Sequence, residues 1–183
     1  MLDDLFAGDD ERAAAAAQRV TAADLPGLLA ALGGADPEAR WWAVGALAHL
    51  PGPEATTALM GVAADADPHV RALAVYSLGG RDTPEVITPL LFALDDDSDY
   101  IARLATEALV RVGPPAVAPL IRTLSNDIQP RVRANAARAL ALLADPAAIP
   151  ALFTALEDDS LLVQHWAEEG LEKLGVGQVY FKP

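Results

Sequence analysis

The chain has no cysteine, two lysines, few aromatic side chains (5%) and half as many basic as acidic residues, 13 against 26. Each shortage closes a class of function. Without cysteine there is no disulfide framework, no thiolate metal site and no cysteine nucleophile. A net charge of -13 repels phosphate backbones and anionic membrane surfaces, which argues against nucleic acid and favours a protein partner or a small molecule. No apolar run reaches the ~18 residues that a membrane-spanning helix needs. The opening Met-Leu-Asp-Asp carries neither the basic start nor the apolar segment of a secretory signal. The expectation is a soluble, cytoplasmic protein without a membrane partner. What is present is 52% hydrophobic residues, too many for a disordered chain. Alanine leads the composition, which suits closely packed helices better than a β-rich core.

Internal repetition organises the 183 residues. The segment Asp67-Pro68-His69-Val70-Arg71, with Ala74, Ser77 and Leu78 behind it, recurs at steps of 31 residues. Upstream stand Asp36-Pro37-Glu38-Ala39-Arg40, Ala43, Ala46 and Leu47. Downstream come Ile101, Ala105, Ala108 and Leu109; then Val132, Arg133, Ala136, Ala139 and Leu140; then Val163, Ala167, Gly170 and Leu171. A second set precedes these at Leu25–Leu32, Thr56–Ala63, Ile87–Leu94, Val117–Leu124 and Ile149–Leu156, and an extra residue is expected in the loop near Asp127-Ile128. Apolar positions at i, i+4, i+7 and i+8 describe one helix face, so each unit is two helices.

Pro37, Pro68 and Pro130 fit the first turn of the second helices, where a missing N–H costs nothing. Asp36, Asp67, Ser98 and Ser160 stand where a side-chain oxygen would cap those helices. A bend is expected at Pro89 and Pro119. The small-residue columns imply close helix contacts with the leucines behind them, and such faces are buried only by stacking neighbours.

These residues resemble a short-form HEAT repeat array of the phycobilin lyase HEAT-like type, through Asp67-Pro68 with Val70-Arg71, Ala74, Ser77-Leu78-Gly79 and the Ile149-Pro150-Ala151-Leu152 kind of first helix. The resemblance spans about residues 21 to 175. It implies an all-α fold, an α-solenoid of about five 31-residue two-helix HEAT-like repeats with an N-terminal capping helix. As domains it gives one repeat array over 1–183: a half-repeat cap at 9–20, five repeats at 21–175 and a tail at 176–183. It also implies that Arg40, Arg71 and Arg133 tie neighbouring repeats through a turn aspartate, a role that Ala102 and Gln164 cannot fill in copies three and five.

Catalytic signatures are missing. His49, His69 and His165 lie in different repeats and form no paired-histidine motif. Asp95-Asp96-Asp97-Ser98-Asp99 begins like a calcium loop, but Tyr100 stands where glycine is needed and Thr106 where a bidentate glutamate is needed. Gly175-Val176-Gly177 ends a helix and opens none. No catalytic residue, metal or cofactor is expected.

The positive signal is a face of the second helices. Glu38, Trp41, Trp42 and Gly45 project by 31 onto His69, Ala72, Leu73 and Tyr76; then Tyr100, Arg103, Leu104 and Glu107; then Arg131, Ala134, Asn135 and Arg138; then Leu162, His165, Trp166 and Glu169. All three tryptophans share this register. In HEAT-like arrays the second helices line the concave surface, so the resemblance implies a partner-binding groove of Trp41, Trp42, Tyr76, Tyr100, Arg103, Arg138, His165 and Trp166. Aromatics beside arginines have the composition of interface hot spots. The column Trp42, Leu73, Leu104, Asn135 and Trp166 could equally be packed between helices. The leading expectation is a non-enzymatic scaffold or regulator that binds another protein. The alternative is a bilin lyase or chaperone, its aromatics stacked on a tetrapyrrole. A HEAT-like DNA glycosylase comes third, opposed by the charge. Tyr180 and Phe181 make the tail apolar enough to dock on the last repeat or to join two copies in a homodimer.

Overall fold

The computed structural model describes residues 2–176. It divides into two compact units, Met1–Arg81 and Asp82–Pro183. The first unit holds α1 (Leu2–Leu5), α2 (Asp10–Ala17), α3 (Leu25–Leu32), α4 (Pro37–His49), α5 (Pro53–Val62) and α6 (Pro68–Leu78). The second holds α7 (Ile87–Phe92), α8 (Asp99–Val112), α9 (Val117–Asn126), α10 (Pro130–Leu143), α11 (Ile149–Ala155) and α12 (Leu161–Lys173). The described residues contain no strand, and the fold class is an α-solenoid of helical pairs. No single helix among them is long and apolar enough to cross a membrane.

Aspartates start the second helices in two ways. The carboxylates of Asp36 and Asp67 accept from the first-turn amides, Asp36 from Glu38 N at 3.0 Å and Asp67 from His69 N at 2.8 Å and Val70 N at 3.2 Å. Ser98 and Ser160 occupy the expected cap positions but make no side-chain cap bond. Their own N–H groups donate instead to Asp96 Oδ1 and Asp158 Oδ1, each at 2.9 Å. Asp67 N and Gln129 N donate likewise to Asp65 Oδ1 and Asp127 Oδ1. Asp65, Asp96, Asp127 and Asp158 thus close one turn four times, and the carboxylate that opens it replaces the serine as the organising group. Because this turn has a constant length, the extra residue expected near Asp127 lies inside α9, which runs ten residues to Asn126.

First helices are entered differently. α3, α7, α9 and α11 each follow a 3₁₀ turn, and Pro26, Pro89, Pro119 and Pro150 fall at the second or third α-helical position. There a backbone N–H has no intrahelical acceptor, so proline removes no helical bond. The 3₁₀-to-α junctions lie just ahead of Pro89 and Pro119.

The cores follow the repeat. In the first unit α4 packs on α6, burying Ala43, Ala46, Leu47, Ala74 and Leu78 completely, with Leu28 and Leu59 beside them. In the second, α10 packs against both α8 and α12, and Ala105, Ala108, Leu109, Ala136, Ala139, Leu140 and Ala167 are wholly buried. Each leucine withdrawn from water contributes about 1.5–3 kcal/mol. α2 packs on α4, as a capping helix does, and its Ala13, Ala16 and Ala17 are buried. The short α1, not anticipated, adds the fully buried Leu5. Positive φ values close α8 at Gly113 (79°) and α10 at Ala144 (49°), and Gly175 beyond α12 has φ 76°. The expected docking of Tyr180 and Phe181 lies outside the described residues.

Candidate functional site

In the first unit α4 and α6 bring Trp41, Trp42 and Tyr76 to the surface. The two indoles meet edge to face, their ring centroids 4.8 Å apart at 83°, and both are half-buried, whereas Tyr76 is exposed. Where the first turns of the two helices face each other lies an open hollow of about 390 Å³, lined by Pro37, Glu38, Trp41, Asp67 and His69. Trp42 and Tyr76 are outside that lining.

In the second unit the aromatic residues carry arginines. Arg103 lies 5.5 Å from the Tyr100 ring centroid and 4.0 Å from Glu107, one turn along α8. Arg138 of α10 lies 5.3 Å from the Trp166 centroid on α12, and the His165 ring is tilted by 58° against that indole, with centroids 5.2 Å apart. Arg138 Nε is buried and has no hydrogen-bond partner.

Part of the projected face turns inward. Leu104 and Ala134 are buried, and Trp42, Leu73, Asn135 and Trp166 are half-buried. Asn135 Nδ2 donates to the Leu94 carbonyl at 3.0 Å. Asn135 thus looks toward the end of a preceding first helix and away from open solvent. Arg131 is also withdrawn from the face, since it donates to the Asp95 carboxylate at 2.9 Å and to the carbonyl of Asp96.

The arginines at the starts of second helices are structural. Arg40 grips Asp65 with Nε and Nη2, both at 2.8 Å, and donates to the Gly34 and Ala35 carbonyls. Arg133 grips Asp158 at 2.8 and 2.9 Å and donates to the Asp127 and Ile128 carbonyls. The arginine hydrogen bond, against a smaller opposing effect of burial, holds the Asp65 and Asp158 carboxyls below their ordinary value of 3.8. Gln164, in the place of this arginine, keeps the loop contact by donating to the Asp158 carbonyl at 2.6 Å. Among the described residues no three histidine or acidic side chains could hold a metal ion.

A family model described as HEAT repeats matches residues 25–110 and again 89–172. The comparison with curated proteins gives no match. Among solved structures, the complex of CpcE and CpcF of phycocyanin lyase from Nostoc sp. PCC7120 contains a chain 23% identical, with a TM-score of 0.55 over 93% of this chain and 74% of that one. Computationally designed armadillo repeat proteins for modular peptide recognition are 22% identical, with a TM-score of 0.51 over 94% and 97%. Both likenesses are likenesses of fold.

Proposed function

Because the chain belongs to the HEAT repeat family, we propose that it is a non-enzymatic scaffold that binds another protein on the outer face of its second helices. The observation that carries this reading is Arg138. Its guanidinium lies over Trp166, and its buried Nε donates no hydrogen bond within the chain. A cation stacked on an indole, with an N–H left unused by the fold, has the chemistry of an interface anchor. Tyr100, Arg103 and His165 surround the same idea in the second unit, and Trp41, Trp42 and Tyr76 in the first. A repeat solenoid suits the role, since its helices hold such side chains on a rigid surface.

The test begins with a partner purified from native extract. Trp41→Ala and Trp166→Ala are each expected to weaken its binding by about 2 kcal/mol without a matching loss of stability. Undiminished affinity in both variants would remove the scaffold reading. Visible absorbance after co-expression with a bilin pathway would replace it with tetrapyrrole handling.

A further inference from the structure

The hollow on α4 and α6 differs in chemistry from the arginine-bearing surface of the second unit. Trp41 gives it an aromatic wall, and Glu38 and Asp67 bring carboxylates to the same space. Among the described residues neither acid forms a salt bridge with a lysine or arginine, and the Arg40 charge acts on Asp67 only at longer range. Asp67 commits Oδ1 to the N–H groups of His69 and Val70, and Oδ2 accepts nothing from the described residues. The basic side chains nearest along the helices are engaged elsewhere: Arg40 with Asp65, and Arg71 with the Asp65 and Ala66 carbonyls.

Electrostatics decide which charge would enter. The amino-terminal ends of α4 and α6 each contribute about half a positive charge, which favours an anion. Asp36, Glu38 and Asp67 outweigh that, and the net charge of -13 adds a field of the same sign. An indole face beside unpaired carboxylates attracts a guanidinium or ammonium through its quadrupole and their charge together. We infer that this hollow receives an arginine or lysine side chain of a partner polypeptide, the cation lying on Trp41 and donating to Glu38 and Asp67. The inference rests on the second-helix faces being contact surfaces and adds the chemistry of the partner.

The test uses the full chain and a fluorescent eight-residue peptide alternating arginine with alanine. Its citrulline counterpart keeps the shape without the charge. The arginine peptide is expected to bind saturably, and the citrulline peptide about tenfold more weakly. The double variant Glu38→Gln/Asp67→Asn should lose about fivefold in affinity for the arginine peptide. Its asparagine still caps α6, so the fold is kept. Trp41→Leu should lose a similar factor, by removing the ring face. The double variant Glu11→Gln/Glu54→Gln deletes the same charge at exposed sites elsewhere and should bind as the parent does. Equal losses in the two double variants would reduce the effect to net charge and overturn the inference. So would equal affinity for the citrulline peptide, or no binding at all. If the arginine peptide fails while Trp166→Ala still weakens a purified partner, the inference falls and the scaffold reading stands. If the peptide binds through Glu38 and Asp67 while Trp166→Ala changes nothing for that partner, the inference stands and the role of Trp166 falls.

Discussion

At position 170 the regularity of the repeat and the local geometry predict opposite effects. The column Ala46, Ser77, Ala108, Ala139 and Gly170 puts a Cβ in every copy but the last. Glycine inside a helix costs about 1 kcal/mol relative to alanine, so repeat consensus alone expects Gly170→Ala to stabilise by that amount. The surroundings forbid it. A Cβ on Gly170 would stand 2.9 Å from Leu152 Cδ1, 3.2 Å from Ala141 Cβ and 3.3 Å from Ala141 Cα. Leu152 is wholly buried and has little room to swing away. Ala141 belongs to α10 and yields only if that helix moves. Overpacking of this kind costs about 1–3 kcal/mol. Setting it against the helix gain leaves Gly170→Ala destabilised by about 1 kcal/mol. Gly61 in α5 is the control, because nothing lies within 4 Å of its Cβ position; Gly61→Ala should gain about 0.5–1 kcal/mol. Urea unfolding followed by circular dichroism measures both. Trp41→Phe/Trp42→Phe leaves Trp166 as the reporter of the second unit. A gain for Gly170→Ala equal to that of Gly61→Ala would refute the packing argument. Ala141→Gly should cost less in the Gly170→Ala background than alone, since it relieves the clash.

Leu109→Ala removes a fully buried side chain and should cost about 2–5 kcal/mol in the same assay, whereas a loss under about 1 would deny it a place in the core. Ala144→Gly relaxes a left-handed residue at φ 49° and should raise stability by about 1 kcal/mol; no change would show the strain to be absorbed elsewhere. The depressed pKa values of Asp65 and Asp158 make a pH prediction with a definite sign. Their contribution is present above the unfolded value near 3.8 and is lost as pH falls through the folded values. The urea midpoint should therefore drop below about pH 4 and drop less in Arg133→Met, and an equal drop in both proteins would contradict the pairing.

The fold was legible because burial repeats with the helix: Val70, Ile101, Val132 and the leucine columns are buried as their spacing required. The turn aspartates stood at the same spacing, yet an acidic loop residue looks the same in sequence whether it accepts an amide or faces water. The aromatic positions of the candidate surface were also readable. Which ring lies under which arginine was not, because Arg138 and Trp166 meet across two helices through rotamers that no period encodes. Ala134 escaped for a related reason. A helical wheel gives the direction of a side chain from its own axis, not the height of the neighbour it meets.

The arginine ties have a direction. Arg40 and Arg133 each reach an aspartate 25 residues later in the chain, while those aspartates are also held by amides of their own turns. During synthesis each guanidinium therefore emerges before its acceptor, by about 1–5 s at ordinary elongation rates, and waits on loop carbonyls alone. Shortening the chain has unequal effects at its two ends. A cut ahead of Asp158 strands a half-buried cation at Arg133, whereas a cut behind Arg133 leaves Asp158 still bound to the N–H of Ser160. Loss of a carboxyl-terminal repeat should accordingly harm its neighbour more than loss of an amino-terminal one.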